Sequence, residues 1–585
     1  MANIAQLLTE HMDIWTAADT EKKSGRGRAS GNAGSVYGVK KLRELILELA
    51  VRGKLVPQNL NDEPASELLK RIQAEKAKLT AEGKLKKEKS LAPIGEDEKP
   101  FELPKGWEWA RLGNLAYIEM GQSPDSQNYN QVGDGIPFFQ GKADFGALYP
   151  TERYWCNKPN KYSYPGDILL SIRAPVGPTN IANKECCIGR GLSALRPIKD
   201  LETFFLLILM RSFEKHLQSK ATGTTFSAVS RNDIDSLLLP ICSLNQQRLI
   251  VTKVNELMAL CDQLEQQHSN AQEAHEILVS QLLATLTQSQ NAAEFNANWQ
   301  RIYAHFDVLF TTEASIDALK QTLLQLAVMG KLMPQDPSDE PASELLKRIQ
   351  AEKAKLIAEG KLKKEKPLAP ITKEEKPFEL PKSWEWVRLA TISTLKGGFA
   401  FPSTSFKESG EYQVLKMGNI KPGQIRLKDK PAFVDEKTAK LAIEAKLDID
   451  DIVITMTGTV GKRDYVYSAR VTDVVINDAN LFINQRLCAV KPYIVSALYL
   501  DSAMKNDRLM DEIFASATGT ANQANIGMVS LANWLIPIPP LVEQYRIVAQ
   551  VDALMVLCDQ LNTRIQQANQ QQQVIANALV AQAVA

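Results

Sequence analysis

The chain states one passage twice. Residues 62–94 read DEPASELLKRIQAEKAKLTAEGKLKKEKSLAPI, and residues 339–371 repeat them with two changes, Thr80 to Ile357 and Ser90 to Pro367. The match runs on into FELPKGWEWARL (101–112) and FELPKSWEWVRL (378–389), then stops abruptly. A second match opens later, PICSLNQQRLIVTKVNELMALCDQL (240–264) against PIPPLVEQYRIVAQVDALMVLCDQL (537–561). Between the matches lie two segments with little in common. A period of about 280 residues is far too long for a solenoid repeat. It reads as gene-scale duplication, a pseudo-dimer on one chain, in which two near-identical frames each hold a different insert. Such a chain presents two different surfaces in one fixed mutual geometry.

The boundaries divide the 585 residues into an N-terminal helical segment (1–103), a first variable module (104–240), a central helical region (241–380), a second variable module (381–537) and a C-terminal helical region (538–585). Within the modules, short strand candidates broken by Gly and Pro (166–172, 452–456 and 480–483) indicate α/β modules with many loops. Trp107 and Trp109, with their copies Trp384 and Trp386, stay constant while the inserts diverge, so they read as core packing of the frame. The passage after Asp62 reads as a helix that stops at Gly83, with Leu68, Leu69, Ile72, Lys76 and Leu79 on a narrow stripe. The KLKKEK run that follows can touch phosphate, or be a solvated face in which Lys and Glu alternate.

After each module the apolar residues fall at alternating steps of four and three. The first copy runs Ile250, Val254, Leu257, Cys261, Leu264, His268, Ala271, His275, Leu278, Leu282. The second runs Ile547, Val551, Leu554, Cys558, Leu561, Ile565, Ala568, Gln572, Ile575, Leu579. That sustained heptad pattern predicts a coiled coil. Two copies on one chain are natural partners, and a pseudo-twofold repeat pairs them antiparallel. About 35 residues give a strut of roughly 50 Å. The expected fold class is therefore α+β: two α/β modules separated by long helices that form an antiparallel coiled coil. His268 and His275 fall on the seam, but their counterparts Ile565 and Gln572 cannot complete a usual zinc site. Polar residues that fix register are the better account.

Composition narrows the function. The net charge is +1, so the chain is no bulk polycation, although local basic patches matter more than the total. Seven cysteines without a C-x-x-C pair read as free buried thiols of a reducing compartment. The N-terminus lacks a cationic region followed by a long apolar one, and the most apolar run, 204–210, is far short of a membrane span. A soluble cytoplasmic protein with no membrane partner is expected. Catalytic motifs are missing together. There is no G-x-x-x-x-G-K-[ST] loop; the nearest sequence, residues 458–463, has the wrong spacing. Neither H-E-x-x-H, nor the Asn/Asp-Pro-Pro-aromatic tetrapeptide of an amino-methyltransferase, nor an F-x-G-x-G cofactor loop occurs.

The order frame, module, frame, module, frame resembles the specificity subunit of type I restriction–modification enzymes. The resemblance covers nearly the whole chain. Its most specific pieces are FELPKGWEW/FELPKSWEW, GDILLSIRAPVG (166–177), CIGRGLSALRP (187–197), ITMTGTVGK (454–462), the turns ATGTT (221–225) and ATGTA (517–521), and PIPPLVEQYRIV (537–548). The Gly/Ser-rich stretch 24–38 departs from it and has no copy in the second repeat. The resemblance implies a non-catalytic subunit whose two target-recognition domains each read half of an asymmetric, bipartite site on double-stranded DNA. It further implies two methyltransferase subunits, carrying S-adenosylmethionine and modifying adenine N6, docked on the helical frame. Motor–nuclease subunits driven by ATP, with Mg, would join them. No cofactor or metal is expected on this chain. A strut would set the gap between half-sites, as dimer geometry does in other DNA readers.

Candidate DNA contacts are polar residues in or beside glycine-containing loops: Gln122, Ser123, Gln140, Lys142, Arg173 and Thr224 in the first module, and Lys416, Asn419, Thr457, Thr459, Lys462 and Asn522 in the second. The ATGT turns recur in both modules, so a structural turn or a backbone phosphate contact suits them. Two rival readings stay open: a coiled-coil scaffold that binds no DNA, and a fused single-chain methyltransferase.

Overall fold

The repeated passages fold into matching helices. The computed structural model describes residues 11–17, 36–59, 61–85, 91–221, 228–362, 367–459, 462–476, 480–520 and 523–584. Helix Tyr37–Val51 (α1) precedes Ala65–Ala81 (α2). The long helix Leu244–Gln288 (α3) follows the first module. Glu313–Val328 (α4) and Ala342–Ala358 (α5) are the copies of α1 and α2, and Leu541–Val584 (α6) is the copy of α3. Leu42, Leu45, Ile46 and Leu49 of α1 are buried, as are Leu319, Leu323 and Leu326 of α4, because spacings of three and four place them on one face. α2 and α5 bury only three residues each, Ala65, Leu68 and Ile72 against Ala342, Leu345 and Ile349. Lys76 is not an apolar contact: its ammonium donates to the Gly113 carbonyl, as Lys353 donates to Ala390 O at 2.8 Å. The Gly/Ser-rich stretch before Val36 and most of the KLKKEK run lie outside the described residues.

Two compact units divide the chain inside both long helices: Met1–Ala271 with Gln567–Ala585, and Gln272–Gln566. In the first unit, Val254, Leu257 and Cys261 of α3 share one core with α1, α2 and Ala576 of α6, and half-buried Leu264 packs on it. Arg43 of α1 donates to Asp262 at 2.6 Å and Glu265 at 2.9 Å, and Tyr37 Oη lies 3.1 Å from Asn577 Oδ1. The second unit repeats this assembly. Cys558 is buried against α4 together with Val279, Leu283 and Leu286 of α3, with Leu554 and Leu561 half-buried beside them. Val551 joins the module core of that unit. Lys320 donates to Asp559 at 2.7 Å, the counterpart of Arg43 with Asp262. The seam residues thus pack on the short frame helices α1 and α4.

The seam also changes phase. Leu278 is 48% exposed and Val279 is buried in its place; in the second copy Ile575 is exposed and Ala576 buried. The strict heptad read from the sequence therefore ends near His275 and Gln572. A step of four carries the apolar line on at the 3.6-residue period of a straight helix. His275 bonds Leu309 O at 2.9 Å, so its imidazole is engaged by a backbone carbonyl.

Each module is closed by its own repeated ends. Strand Glu108–Arg111 (β1) pairs antiparallel with Leu238–Ile241 (β8), Trp109 opposite Pro240. Glu385–Arg388 (β9) pairs in the same register with Leu535–Ile538 (β16), Trp386 opposite Pro537. All four tryptophans are buried. Inside this clasp, the two dissimilar inserts build the same sheet. In the first module, Ala116–Met120 (β2), Leu192–Pro197 (β7), Ile168–Ser171 (β4) and Thr179–Ile181 (β5) lie side by side in that order. In the second, Ser393–Gly397 (β10), Leu487–Pro492 (β15), Ile452–Thr455 (β12) and Ser468–Arg470 (β13) do so. Each module adds a parallel pair: Ile136–Phe139 (β3) with Cys186–Ile188 (β6), and Tyr412–Leu415 (β11) with Asn480–Ile483 (β14). Around that pair the modules diverge, with five strands in one sheet of the first and a three-stranded sheet in the second. The inserts share a backbone without sharing a sequence because many apolar combinations satisfy one pleated core.

Candidate nucleic-acid interface

In the first module four loops meet at one rim, and the turn between β6 and β7 is their hub. Gly121 N–H donates to Leu192 O at 2.9 Å and Gln122 N–H to Ile188 O at 3.0 Å, which pins the loop after β2 to the turn. Gly189 N–H donates to Phe139 O at 2.8 Å, which adds the loop after β3. Ile172 N–H donates to Gly191 O at 3.0 Å, which adds the loop after β4. The approach is close enough to require glycine. A Cβ on Gly121 would lie 2.2 Å from Gly189 O, and one on Gly191 would lie 2.2 Å from Gln140 O.

The second module repeats the hub bond for bond. Gly398 N–H donates to Leu487 O, Phe399 N–H to Ile483 O, Asn484 N–H to Leu415 O and Met456 N–H to Arg486 O, at 2.9 to 3.0 Å. These bonds fix the correspondence that sequence comparison missed. Gln122 matches Phe399, Gln140 matches Lys416, Arg173 matches Thr457, Arg190 matches Gln485 and Gly191 matches Arg486. One backbone constellation carries two sets of side chains.

The rim gathers Gln122, Ser123, Gln140 and Arg173 of the candidates, with Lys142 on the turn beyond Gln140. Ser123 Oγ accepts from Arg190 N–H at 3.3 Å. Gln122, Gln140, Lys142 and Arg173 are exposed. Gln140 and Lys142 also line a concavity of about 1040 Å³ with Arg153, Tyr154, Trp155 and Pro175. Arg173 and Arg190 form no ion pair with a carboxylate among the described residues, and Lys142 lies near enough to Glu214 to favour its charged form without an ion-pair contact, whereas Lys184 pairs with Glu152 and Arg196 with Asp167. Unpaired guanidinium and amide groups on a rigid edge suit phosphate and base-edge contacts.

Several candidates of the second module turn inward instead. Asn419 is 3% exposed. Its Oδ1 accepts from Lys416 N–H at 2.8 Å, and its Nδ2 donates to Arg426 O at 3.0 Å and Asp429 O at 2.7 Å. It holds the loop as Asp144, whose Oδ2 accepts from Gln140 N–H at 2.7 Å, does in the first module. Thr457 is buried with its hydroxyl on Met417 Sδ. Thr459 gives its N–H and hydroxyl to Asp464; the Thr459 N–H foremost holds that carboxyl below its usual range. Lys416 Nζ sits 3.9 Å from the Phe406 ring centroid. Lys462 is exposed. Thr224 and Asn522 lie outside the described residues. Sequence reasoning missed Arg190 and Arg486, both exposed on the hub turns. The signal available was an Arg within a short break between two apolar strands, CIGRGLSAL and FINQRLCAV.

The family described as type I restriction modification DNA specificity domain matches residues 104–273 and 381–570. Each match spans one module and the start of the long helix after it. The chain belongs to this family. As a type I specificity-family member it is a DNA-specificity component and not a catalytic one. It is 42% identical over its full length to the EcoAI specificity subunit of Escherichia coli, covering all of that chain too. It is 41% identical over 98% of its length to the EcoEI specificity subunit of the same organism, covering 99% of that chain. The crystallised HsdS subunit of Thermoanaerobacter tengcongensis is 34% identical over 43% of this chain and 62% of that one; its TM-score of 0.27 supports no argument from shape. Among the described residues no cluster of His, Cys, Asp and Glu could hold a metal, all seven cysteines are free and buried, and no helix is long and apolar enough to cross a membrane.

Proposed function

We propose that the chain reads a bipartite DNA site as the specificity subunit of a type I restriction–modification complex, each rim reading one half. The observation that carries this is the hub: one set of backbone bonds presents different side chains in two modules of an otherwise duplicated chain. Two modules that read the same sequence would have no need to differ at the rim, so the site is asymmetric. In this reading residues 104–240 and 381–537 are the target-recognition domains, and residues 1–103, 241–380 and 538–585 are the frame. α3 and α6 run antiparallel as a pseudo-twofold strut. Support comes from the start of α3 and the end of α6 sharing one core, while the start of α6 and the end of α3 share another. Two methyltransferase subunits, which use S-adenosylmethionine to modify adenine N6, dock on the helices. Motor–nuclease subunits that use ATP and Mg join them. This chain binds none of these cofactors and works in the cytoplasm.

Exchange of residues 104–240 for the corresponding module of a relative tests the reading. Methylome sequencing of a host expressing the whole system should show one half of the motif changed and the other half and the spacing kept. A change in both halves would refute the assignment of one module to one half-site.

A further inference from the structure

Within that reading, the hub turns are the places where bases are read. We infer that Arg190 in the first module and Arg486 in the second each recognise a guanine of their own half-site. Among the described residues of the four rim loops, only those of the hub turn bond the other three, so its side chains stand at the middle of the rim on the most constrained backbone. Both turns carry an exposed arginine that forms no ion pair with a carboxylate among the described residues, one residue apart in the structural correspondence. Arg196, Arg463 and Arg470 are tied down instead, to Asp167, Asp511 and Asp450, while the exposed Arg153 and Arg173 stand off the hub turn. An arginine on a fixed stem presents its fork bidentately to guanine O6 and N7, the commonest specific contact in the major groove. Arg173 and Lys142 stand on the outer loops and take phosphate, which positions without reading. The shift of the arginine by one residue between the modules moves the guanine within the half-site, so the two halves differ although the backbones agree.

The test uses the whole methyltransferase complex containing Arg190→Ala, Arg190→Gln, Arg486→Ala or Arg173→Ala, with a DNA library randomised across the wild-type motif. Arg190→Ala should lose preference for one G·C pair in one half-site, discrimination there falling roughly 5- to 150-fold. The other half should be untouched. Arg190→Gln should move that preference toward A·T, since glutamine pairs with adenine N6 and N7. Arg486→Ala should act in the opposite half. Arg173→Ala should weaken all sequences alike and lower the salt dependence by about one ion. A motif unchanged in Arg190→Ala and Arg486→Ala overturns the inference, whether binding falls uniformly, as for a phosphate contact, or does not fall at all. A wild-type complex with no sequence preference would instead overturn the functional reading beneath it.

Discussion

Arg111 and Arg388 show what the constant residues of the frame do. Each is 6% exposed and satisfied on every side. Arg111 donates to the carbonyls of Ala92, Pro93 and Ser236, and its Nη2 also donates to both Glu98 carboxylate oxygens at 2.9 and 3.0 Å. Arg388 repeats this with Ala369, Asn533 and Glu375. One side chain thus ties the linker before a module to both ends of that module. Arg111→Ala should cost on the order of 3 kcal/mol, since buried carbonyls lose a charged donor, and Arg111→Lys should recover only part, lacking the planar guanidinium. Thermal denaturation of the full chain reads both. Glu98 and Glu375 sit below the usual carboxylate range, held first by the N–H groups of Gly95 and Thr372 and then by the arginines. A depressed carboxyl stabilises above its unfolded pKa of about 4.3 and loses that contribution as pH falls through the folded value. The gap in denaturation midpoint between wild type and Glu375→Gln should therefore be widest at neutral pH and close in acid. On the rim, Lys462→Ala should leave the fold intact and weaken DNA binding evenly across sequences, while Asn419→Ala should destabilise the second module by about 1–3 kcal/mol through unpaired backbone groups. That contrast was not legible in the sequence. Glycine neighbours mark Lys462 and Asn419 alike as loop residues, and only the fold shows that one amide faces inward.

At the level of elements, the periodicity located the long helices and the strands at 168–171, 452–455 and 480–483, because apolar spacing is local information. It did not reveal which elements cover the seam. A heptad read alone suggests one partner helix, whereas α1 and α4 take part of that face, and past His275 the apolar line follows the straight-helix period. The two inserts looked unrelated for a similar reason: the hub is made of backbone bonds, which leave little trace beyond a few glycines. The phase shift makes a sharp prediction. Val279→Asp buries an unpaired charge among Leu283, Leu286 and α4 and should lower stability by several kcal/mol. Leu278→Asp, one residue earlier and half exposed, should change it by no more than about 0.5 kcal/mol. Equal losses in the two would restore the strict heptad. Leu257→Asp belongs with Val279→Asp, because Leu257 is 4% exposed in the core of the first unit.

At the scale of the molecule, the two units part inside α3 after Ala271 and inside α6 after Gln566, two residues short of Ala568, the counterpart of Ala271. Ala271 and Ala568 are both exposed, so residues added there displace no core side chain. If α3 and α6 are the strut between reading heads, their length at this point sets the gap between half-sites. Four residues inserted after Ala271, with four after Ala568, add about one helical turn and about 6 Å at 1.5 Å per residue. That corresponds to nearly two base-pair steps of about 3.4 Å. Seven residues would keep heptad phase but lengthen the strut by about 10 Å; four produce a stutter, which the helices already accommodate nearby where Val279 and Ala576 replace the expected positions. Methylome sequencing of a host carrying the double insertion should return both half-sites unchanged and a spacer longer by one or two base pairs. A single insertion, in α3 alone, leaves the helices unequal and should lower assembly with the methyltransferase more than it shifts the spacer. An unchanged spacer with full methylation in the double insertion would mean that the helices do not set the gap, whatever the modules read.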